Sequence, residues 1–476
     1  YYADGLPVSL TADSTPPLDT VQLLRSLYLY PYGCAEQTTS RAMPLLYAAS
    51  LPGAEQALDI DQNEIDNRLR TAIRRLSAMQ TTSGNFGLWN WYSYTRPWLD
   101  AYVMDFLSRA RELGHAVPEQ TWDSGMRALE ITALDSYGDD DARAYAVYVL
   151  ARNGWSDPYD LAYVADNLQR NGLTTISQAL VAATFANLGD MQRGLSIAGD
   201  IEIDGLSASG YWFYGSPLRD SAMVATILIE SGLASPSSLL STYEAIGRGF
   251  GERRWTSTQE NAWLVMAAHA ARSGHMVAVS LNGETQTSEG AWQTTLTWPP
   301  EDGYVALRNE GDAPLFASIG VSGYPLADPV PEADGFEIWR YVYDRNGVPL
   351  GSQALMQNDL VVVVVAGRVT DGLSHDAMFV DLLPAGLELE NARLEGVIDV
   401  GDLAWLGELT WPDTIELRDD RFVAAFETYD DRFRFAYLAR AVTPGTYSMP
   451  PPHIEDMYRP YIFARGEARS IVVTGP

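Results

Sequence analysis

Residues 30–40 read Tyr-Pro-Tyr-Gly-Cys-Ala-Glu-Gln-Thr-Thr-Ser and place the only cysteine of the chain, Cys34, three residues before Gln37. At the start of a helix, i,i+3 spacing projects both side chains from one side of the first turn. The sulfur can then reach the carboxamide carbon of Gln37, form a C–S bond and expel ammonia, closing an internal Cys–Gln thioester. That bond is a stored electrophile, because a thiolate, with a thiol pKa of about 8.5, leaves far more readily than an amide nitrogen. An attacking amine or hydroxyl takes the Gln37 acyl group and frees Cys34. A lone cysteine is otherwise most often a small buried hydrophobe, so the reading depends on the elements that carry the pair.

Those elements begin with a repeat. Ala-rich segments ending in glycine recur at 101–114, 142–154, 178–189, 221–232 and 261–274, with the glycines 35 to 43 residues apart. Each interval holds two helices. Small and apolar residues at i, i+3, i+4 and i+7, as in Ala144, Val147, Tyr148 and Ala151, give each helix one buried face. The glycine suits the left-handed position after a helix. Further helices fit 64–80, 158–170 (with Pro158 at the first helical position) and 235–248. Stacked pairs at this period predict a solenoid or a closed α/α toroid. The Gly- and aromatic-rich loops 84–89 and 210–215 are expected at one rim. Asp139, Asp140 and Asp141 read as a helix cap with an acidic first turn rather than as a metal or acid-chemistry cluster.

From Val277 onward alternation with period two takes over, at 277–281, 304–307 and 315–321, with Asn282-Gly283 as a hairpin turn. A Pro-rich linker at 324–331 precedes strands at 337–343, 360–369, 377–383, 422–428, 433–439 and 461–465, the pattern of an antiparallel β-sandwich. The run Val361–Val365 reads as a buried strand. Residues 7–12 are strand-like without a neighbouring partner, so they are expected to pair across the helical part with strands after residue 276.

The 476 residues are enough for about three domains. With 32 basic against 62 acidic residues the formal charge is −30, which excludes a basic groove for nucleic acid or anionic lipid. One thiol excludes internal disulfides and multi-cysteine zinc sites; no metal or cofactor is expected. Lysine is absent. A protein storing a lysine-seeking electrophile avoids acylating itself that way, and an arginine-biased or salt-adapted acidic proteome gives the same composition. The longest apolar run, 360–367, is strand-sized, and the chain starts at Tyr1 without a leader. It is expected to be a soluble piece of a longer precursor.

The sequence Gly33-Cys34-Ala35-Glu36-Gln37 resembles the thioester motif of the α2-macroglobulin and complement superfamily, and residues 30–40 look like its bacterial branch. Residues 255–263, Trp-Thr-Ser-Thr-Gln-Glu-Asn-Ala-Trp, are similar to a helix opening near the end of that family's thioester domain. The resemblance covers essentially the whole chain but only the C-terminal part of a family member, without a bait region. It implies a multidomain α + β fold: an α/α-toroid thioester domain (15–275) inserted in a split CUB-like β-domain (1–14 and 276–326), followed by a macroglobulin-like antiparallel β-sandwich (327–476).

It also implies a function. Cys34 and Gln37 would form the bond, with Gly33 and Glu36 completing the motif, in a single-use covalent trap for proteases rather than an enzyme. The parent would be a periplasmic lipoprotein of the inner membrane, working beside a peptidoglycan-synthesising penicillin-binding protein. A thioester needs shelter from water. Tyr30 and Tyr32 are the expected near wall, and a loop at 450–458 is expected to bring Met457 and Tyr458 against Tyr30 as a seal. Family members that favour hydroxyl targets use a histidine well downstream of the cysteine. Residues 129–151 hold none, so direct attack by target lysine amines is expected. His269 reads as a core or rim residue, and His115, His275 and His453 as loop residues. The alternative is a carbohydrate- or terpene-processing enzyme on an α/α toroid. That would need paired carboxylates at the toroid mouth or an Asp-x-Asp-Asp run, and neither has a defensible spacing here. A cysteine hydrolase would need a histidine close to Cys34 in sequence, which is lacking.

Overall fold

The structure is a computed structural model. It describes residues 6–13, 18, 20–29, 33–48, 60–201, 214–251, 255–271, 276–298, 303–312, 314–321, 330–351, 353–390, 400 and 403–475. The chain divides into two compact units, Tyr1–Arg253 with Thr258–Gly323, and Arg254–Ser257 with Tyr324–Pro476.

Twelve helices are described in the first unit: α1 (Thr20–Leu29), α2 (Ala35–Leu45), α3 (Gln62–Met79), α4 (Pro97–Glu112), α5 (Glu119–Leu134), α6 (Asp140–Arg152), α7 (Pro158–Gln169), α8 (Thr175–Asn187), α9 (Met191–Gly199), α10 (Pro217–Glu230), α11 (Pro236–Gly251) and α12 (Thr258–Ala270). The even-numbered helices touch in order, and α12 returns to α2, so six helices close a ring with the odd-numbered ones packed against it. This is the α/α toroid. One outer helix separates consecutive inner ones, so the inner six run in the same direction and their N-termini share a rim. Gly114, Gly154, Gly189 and Gly232 have φ of 88°, 57°, 90° and 68°, the left-handed turn that ends each repeat. Gly274 and residues 210–213 lie outside the described residues.

The expectation of one buried face per helix holds only for the outer layer. In α3 the buried residues are Ile65, Leu69, Ala72, Ile73, Leu76 and Met79, a single stripe. In α6 every residue from Asp141 to Ala151 is buried, and in α12 every residue from Thr258 to Ala267. An inner helix is covered by its ring neighbours as well as by the outer layer, so its sequence carries no polar face. Asp139 caps α6 as expected, its Oδ1 accepting from Ala142 N at 2.9 Å. His269 stacks on Tyr47 at 4.2 Å between ring centroids.

At the opposite rim the C-terminal turns are joined by buried ions. Arg109 of α4, fully buried, pairs with Asp105 at 2.9 Å and donates to both carboxylate oxygens of Glu230 on α10 at 2.7 and 2.8 Å. Asp105 also accepts from Tyr145 of α6 at 2.8 Å.

The chain enters and leaves the toroid through a small β assembly made of β1 (Leu6–Asp13), β2 (Met276–Leu281), β3 (Glu284–Glu289), β4 (Trp292–Trp298), β5 (Leu307–Asn309) and β6 (Phe316–Val321). β1 is the centre of a sheet in the order β4-β1-β6, antiparallel to both, with Leu10 opposite Thr294 and Ile319. The partnerless N-terminal strand therefore pairs with strands beyond residue 276. Its Leu10 and Ala12 share a core with Val277, Val279 and Trp292. The strand expected at 304–307 begins only at Leu307, because Ala306 is bonded through both backbone groups to Asn282 in the hairpin turn.

The second unit contains β7 (Glu332–Asp334), β8 (Phe336–Tyr343), β9 (Leu355–Met356), β10 (Leu360–Val369), β11 (Asp376–Leu382), β12 (Leu387–Leu389), β13 (Thr414–Arg418), β14 (Arg421–Glu427), β15 (Arg432–Ala441), β16 (Gly445–Met449), β17 (His453–Asp456), β18 (Phe463–Arg465) and β19 (Arg469–Thr474). Sheets β12-β15-β10-β8 and β13-β14-β11-β17-β18-β7 form a sandwich, and β16-β19-β9 adds a third sheet whose β19–β9 pair is parallel. Val361, Val363 and Val365 face the sandwich core, while Val362 and Val364 are covered by Leu406, Ala436 and Leu438. Both faces of β10 are buried, so the strand reads as continuous valine instead of alternating. Residues 324–329 of the expected linker lie outside the described residues.

Asp105→Ala removes the shared acceptor of Arg109 and Tyr145 and is expected to destabilise the toroid by roughly 3–5 kcal/mol, the range for breaking a buried pair. Chemical denaturation of the variant against the parent measures this.

Candidate functional site

The inner helix α2 carries the Cys-Gln pair at its N-terminus. Cys34 is the N-cap, one residue before the helix rather than within its first turn, with extended backbone at φ −64° and ψ 173°. Its Sγ accepts from Gln37 N at 3.4 Å, and Cys34 N donates to Gln37 Oε1 at 3.2 Å. This is a capping box with cysteine in the place usually held by serine or threonine. The two reciprocal bonds hold sulfur and carboxamide together, and both residues are fully buried.

The arrangement has a chemical capability beyond proximity. Were a nucleophile to add at the Gln37 side-chain carbonyl carbon, negative charge would develop on the oxygen that already accepts from Cys34 N. That N–H sits at the positive end of α2, an electrostatic position suited to such an oxyanion.

Neighbouring elements fix the start of α2. Ala35 N donates to Leu88 O at 2.7 Å, so the loop at 84–89 holds the helix end. Asp100 of α4 ties down that loop, accepting from Phe86 N at 2.6 Å and Asn85 Nδ2 at 2.7 Å, and burial pushes its pKa up to about 7. Glu36, fully buried, accepts from Ser40 Oγ at 2.6 Å and, through both oxygens, from Thr258 Oγ1 of α12 at 3.0 Å. Ser40 Oγ lies 2.9 Å from the hydroxyl of Tyr102 on α4. Glu36 therefore pins α2 to both ring neighbours. Burial pushes its pKa up to about 7, against the hydrogen bonds from Ser40 and Thr258 and the charge of Arg219. At Gly33 an added Cβ would fall 2.9 Å from Arg75 Cζ, so glycine leaves room for that guanidinium against the backbone. A cavity of about 210 Å³ lies on this side, lined by Gly33 and Thr38 together with Arg41, Arg68 and Arg75.

Of the expected site residues, Gly33, Cys34, Glu36 and Gln37 come together here. Tyr30 and Tyr32 lie outside the described residues. Met457 and Tyr458 are buried in the second unit, in the turn after β17. Residues 450–458 are not a loop throughout: β17 occupies His453–Asp456 between β11 and β18, with Ile454 in the core, so His453 is a strand residue. Ser40, Leu88, Tyr102 and Thr258 carry no local sequence signal of a role at the motif. Their contacts to the motif are created by ring closure. Among the described residues no group of three or more His, Cys, Asp or Glu is placed to hold a metal ion, and no helix is long and apolar enough to cross a membrane.

Residues 11–128 match the A-macroglobulin TED domain, and residues 335–460 match the bacterial α2-macroglobulin MG10 domain. The crystal structure of native Escherichia coli α2-macroglobulin, from domain MG7 to the C-terminus, superposes with a TM-score of 0.83 at 31% identity, covering 98% of this chain and 77% of that one. The chain belongs to the bacterial α2-macroglobulin family. The α2-macroglobulin of Escherichia coli K12 is 35% identical over 520 residues, covering 100% of this chain and 31% of the relative. A Salmonella α2-macroglobulin reacted with methylamine aligns with a TM-score of 0.83 at 32% identity, covering 99% of this chain and 32% of that one. The chain thus spans about a third of the length of the curated α2-macroglobulins it matches.

The raised Glu36 pKa sets the sign of a pH effect. Protonated Glu36 is favoured in the folded ring, so its contribution is full below pH 4.5 and is lost as pH rises through about 7. The parent is expected to lose stability relative to Glu36→Gln over that window and to level off above it, as denaturation curves at a series of pH values will show.

Proposed function

We propose that this chain is the C-terminal part of a bacterial α2-macroglobulin that inhibits proteases by trapping them covalently. The observation that carries the reading is the buried, reciprocal Cys34–Gln37 cap. In forming the bond, Cys34 sulfur displaces the Gln37 amide nitrogen, which leaves as ammonia. In the trapping step a lysine amine of the target adds to the acyl carbon, the C–S bond breaks, and the proton lost by nitrogen goes to the sulfur. The products are an isopeptide amide and the Cys34 thiol. Reaction of the Salmonella relative with methylamine supports an amine-sensitive bond in this family. No histidine stands between His115 and His269 in the sequence, which supports direct attack by amines without a relay to hydroxyl targets.

Each molecule reacts once, so the protein is an inhibitor rather than a turnover enzyme. The division into a split CUB-like domain (1–14 and 276–326), a thioester domain (15–275) and a macroglobulin-like sandwich (327–476) is part of the same proposal. So is a seal in which Met457 and Tyr458 meet Tyr30 and Tyr32 over the bond. For the parent we propose a periplasmic lipoprotein of the inner membrane acting beside a peptidoglycan-synthesising penicillin-binding protein.

Intact mass tests the central claim. Freshly prepared protein is expected to be lighter than its sequence by one ammonia; methylamine should then add its own mass and release one titratable thiol. Cys34→Ala and Gln37→Ala should abolish both changes, and a free thiol with an unmodified Gln37 in untreated protein would refute the bond. Tyr30→Ala and Met457→Ala are each expected to shorten the thioester lifetime in water, read as the rate of spontaneous thiol release.

A further inference from the structure

A second buried polar cluster lies in the sandwich, beneath the turn that carries Met457 and Tyr458. Asp456, at the end of β17, is fully buried and organises the turn. Its Oδ1 accepts from Tyr458 N and Arg459 N, both at 2.9 Å. Its Oδ2 accepts from Arg459 Nε at 2.9 Å and Nη2 at 2.8 Å, and lies 2.9 Å from His375 Nδ1. The backbone adds Met457 N to Asp376 O at 3.0 Å and Ile462 N to Arg459 O at 2.7 Å.

His375, also fully buried, is held at the start of β11 by a bond from its N–H to Thr428 Oγ1 at 2.8 Å. Its Nε2 lies 3.0 Å from Asp371 Oδ1, and its Nδ1 lies 2.9 Å from Arg459 Nη2 as well as near Asp456. The charged groups facing the ring are Asp371, Asp456 and Arg459; β8 contributes the Phe336 ring at 4.7 Å. The thioester mechanism uses none of these side chains.

We propose that His375 and Arg459 are positioning residues that clamp the Met457–Tyr458 turn through Asp456. The inference rests on the reading of Met457 and Tyr458 as the seal. Arg459 Nη2 can only donate, so at 2.9 Å it makes His375 Nδ1 an acceptor, and the ring proton on Nε2 is left for Asp371 Oδ1 at 3.0 Å. His375 thereby orients the Arg459 fork that grips Asp456 Oδ2, and through Asp456 both side chains hold the turn.

The test compares the parent, His375→Ala, His375→Gln, Arg459→Lys and Met457→Ala in the full chain, reading hydrogen exchange of residues 456–462 and spontaneous thiol release. His375→Ala is expected to speed exchange in the turn and shorten the thioester lifetime by about tenfold, the weight of one charge-assisted hydrogen bond. His375→Gln, whose carboxamide oxygen can accept from Arg459, is expected to recover part of both. Arg459→Lys, which keeps the charge and loses the fork, gives a second reading in the direction of His375→Ala. Turn exchange unchanged in His375→Ala and Arg459→Lys, or His375→Gln no different from His375→Ala, overturns the clamp. It is also overturned if Met457→Ala shortens the lifetime while His375→Ala loosens the turn without doing so. If the turn loosens and thiol release stays unchanged in His375→Ala and Met457→Ala alike, the clamp stands and the seal reading fails.

Discussion

Two hydrogen bonds between Cys34 and Gln37 are the constraint around which the toroid is arranged. A side-chain cap ordinarily contributes about 0.5–2 kcal/mol, and leaving a buried donor or acceptor unmade costs about 1–3 kcal/mol. Both residues are fully buried, and these reciprocal bonds fix the sulfur and the carboxamide against each other. The bonds from Leu88 to Ala35 and from Thr258 and Ser40 to Glu36 keep α2 where this reciprocity survives. The fixed approach of the Cys34 sulfur to the Gln37 carboxamide follows from helix-capping physics alone.

The ring explains how so many carboxylates can be buried in one place. Glu36, Asp100, Asp141, Asp220 and Glu260 are all buried within the first turns of inner helices, where unpaired N–H groups and aligned dipoles present positive potential. Hydroxyls complete the pattern: Ser216 donates to Glu260 at 2.5 Å, and Thr174 and Ser177 donate to Asp141 at 2.6 and 2.5 Å. Arg109 and Arg152 occupy the last turns of α4 and α6 at the other rim. Arg219 sits beside Asp220 at the N-terminal rim, and Asp105 and Glu230 face Arg109 at the other, so each rim carries buried charges of both signs.

What could be read from the sequence was what local geometry decides. Cys34 and Gln37 are neighbours on one turn, Asp139 is a helix cap, and residues 7–12 needed a partner that only distant strands could supply. The uninterrupted valines of β10 announced burial on both faces. Other features depended on closure of the fold. The inner helices lack the predicted polar face because two layers cover them. Thr258 meets Glu36 across 222 residues of sequence, which no local pattern reveals. Pro450, Pro451 and Pro452 advertise a loop and conceal the short strand behind them. His375, Asp456 and Arg459 come together only when β11 and β17 pair.

The placement of β1 between β4 and β6 has a mechanical consequence. β1 begins at Leu6 and β6 ends at Val321, and the register sets Val8 opposite Val321. The start of β1 and the end of β6 therefore sit at the same end of one antiparallel pair. Tension applied to the two flanking stretches of polypeptide would open β1 from β6 like a zipper, one rung after another, a geometry that yields at low force. The helical ring lies between the two strands in sequence and carries no load until they part, so the strand pair acts as a mechanical fuse ahead of the buried cap.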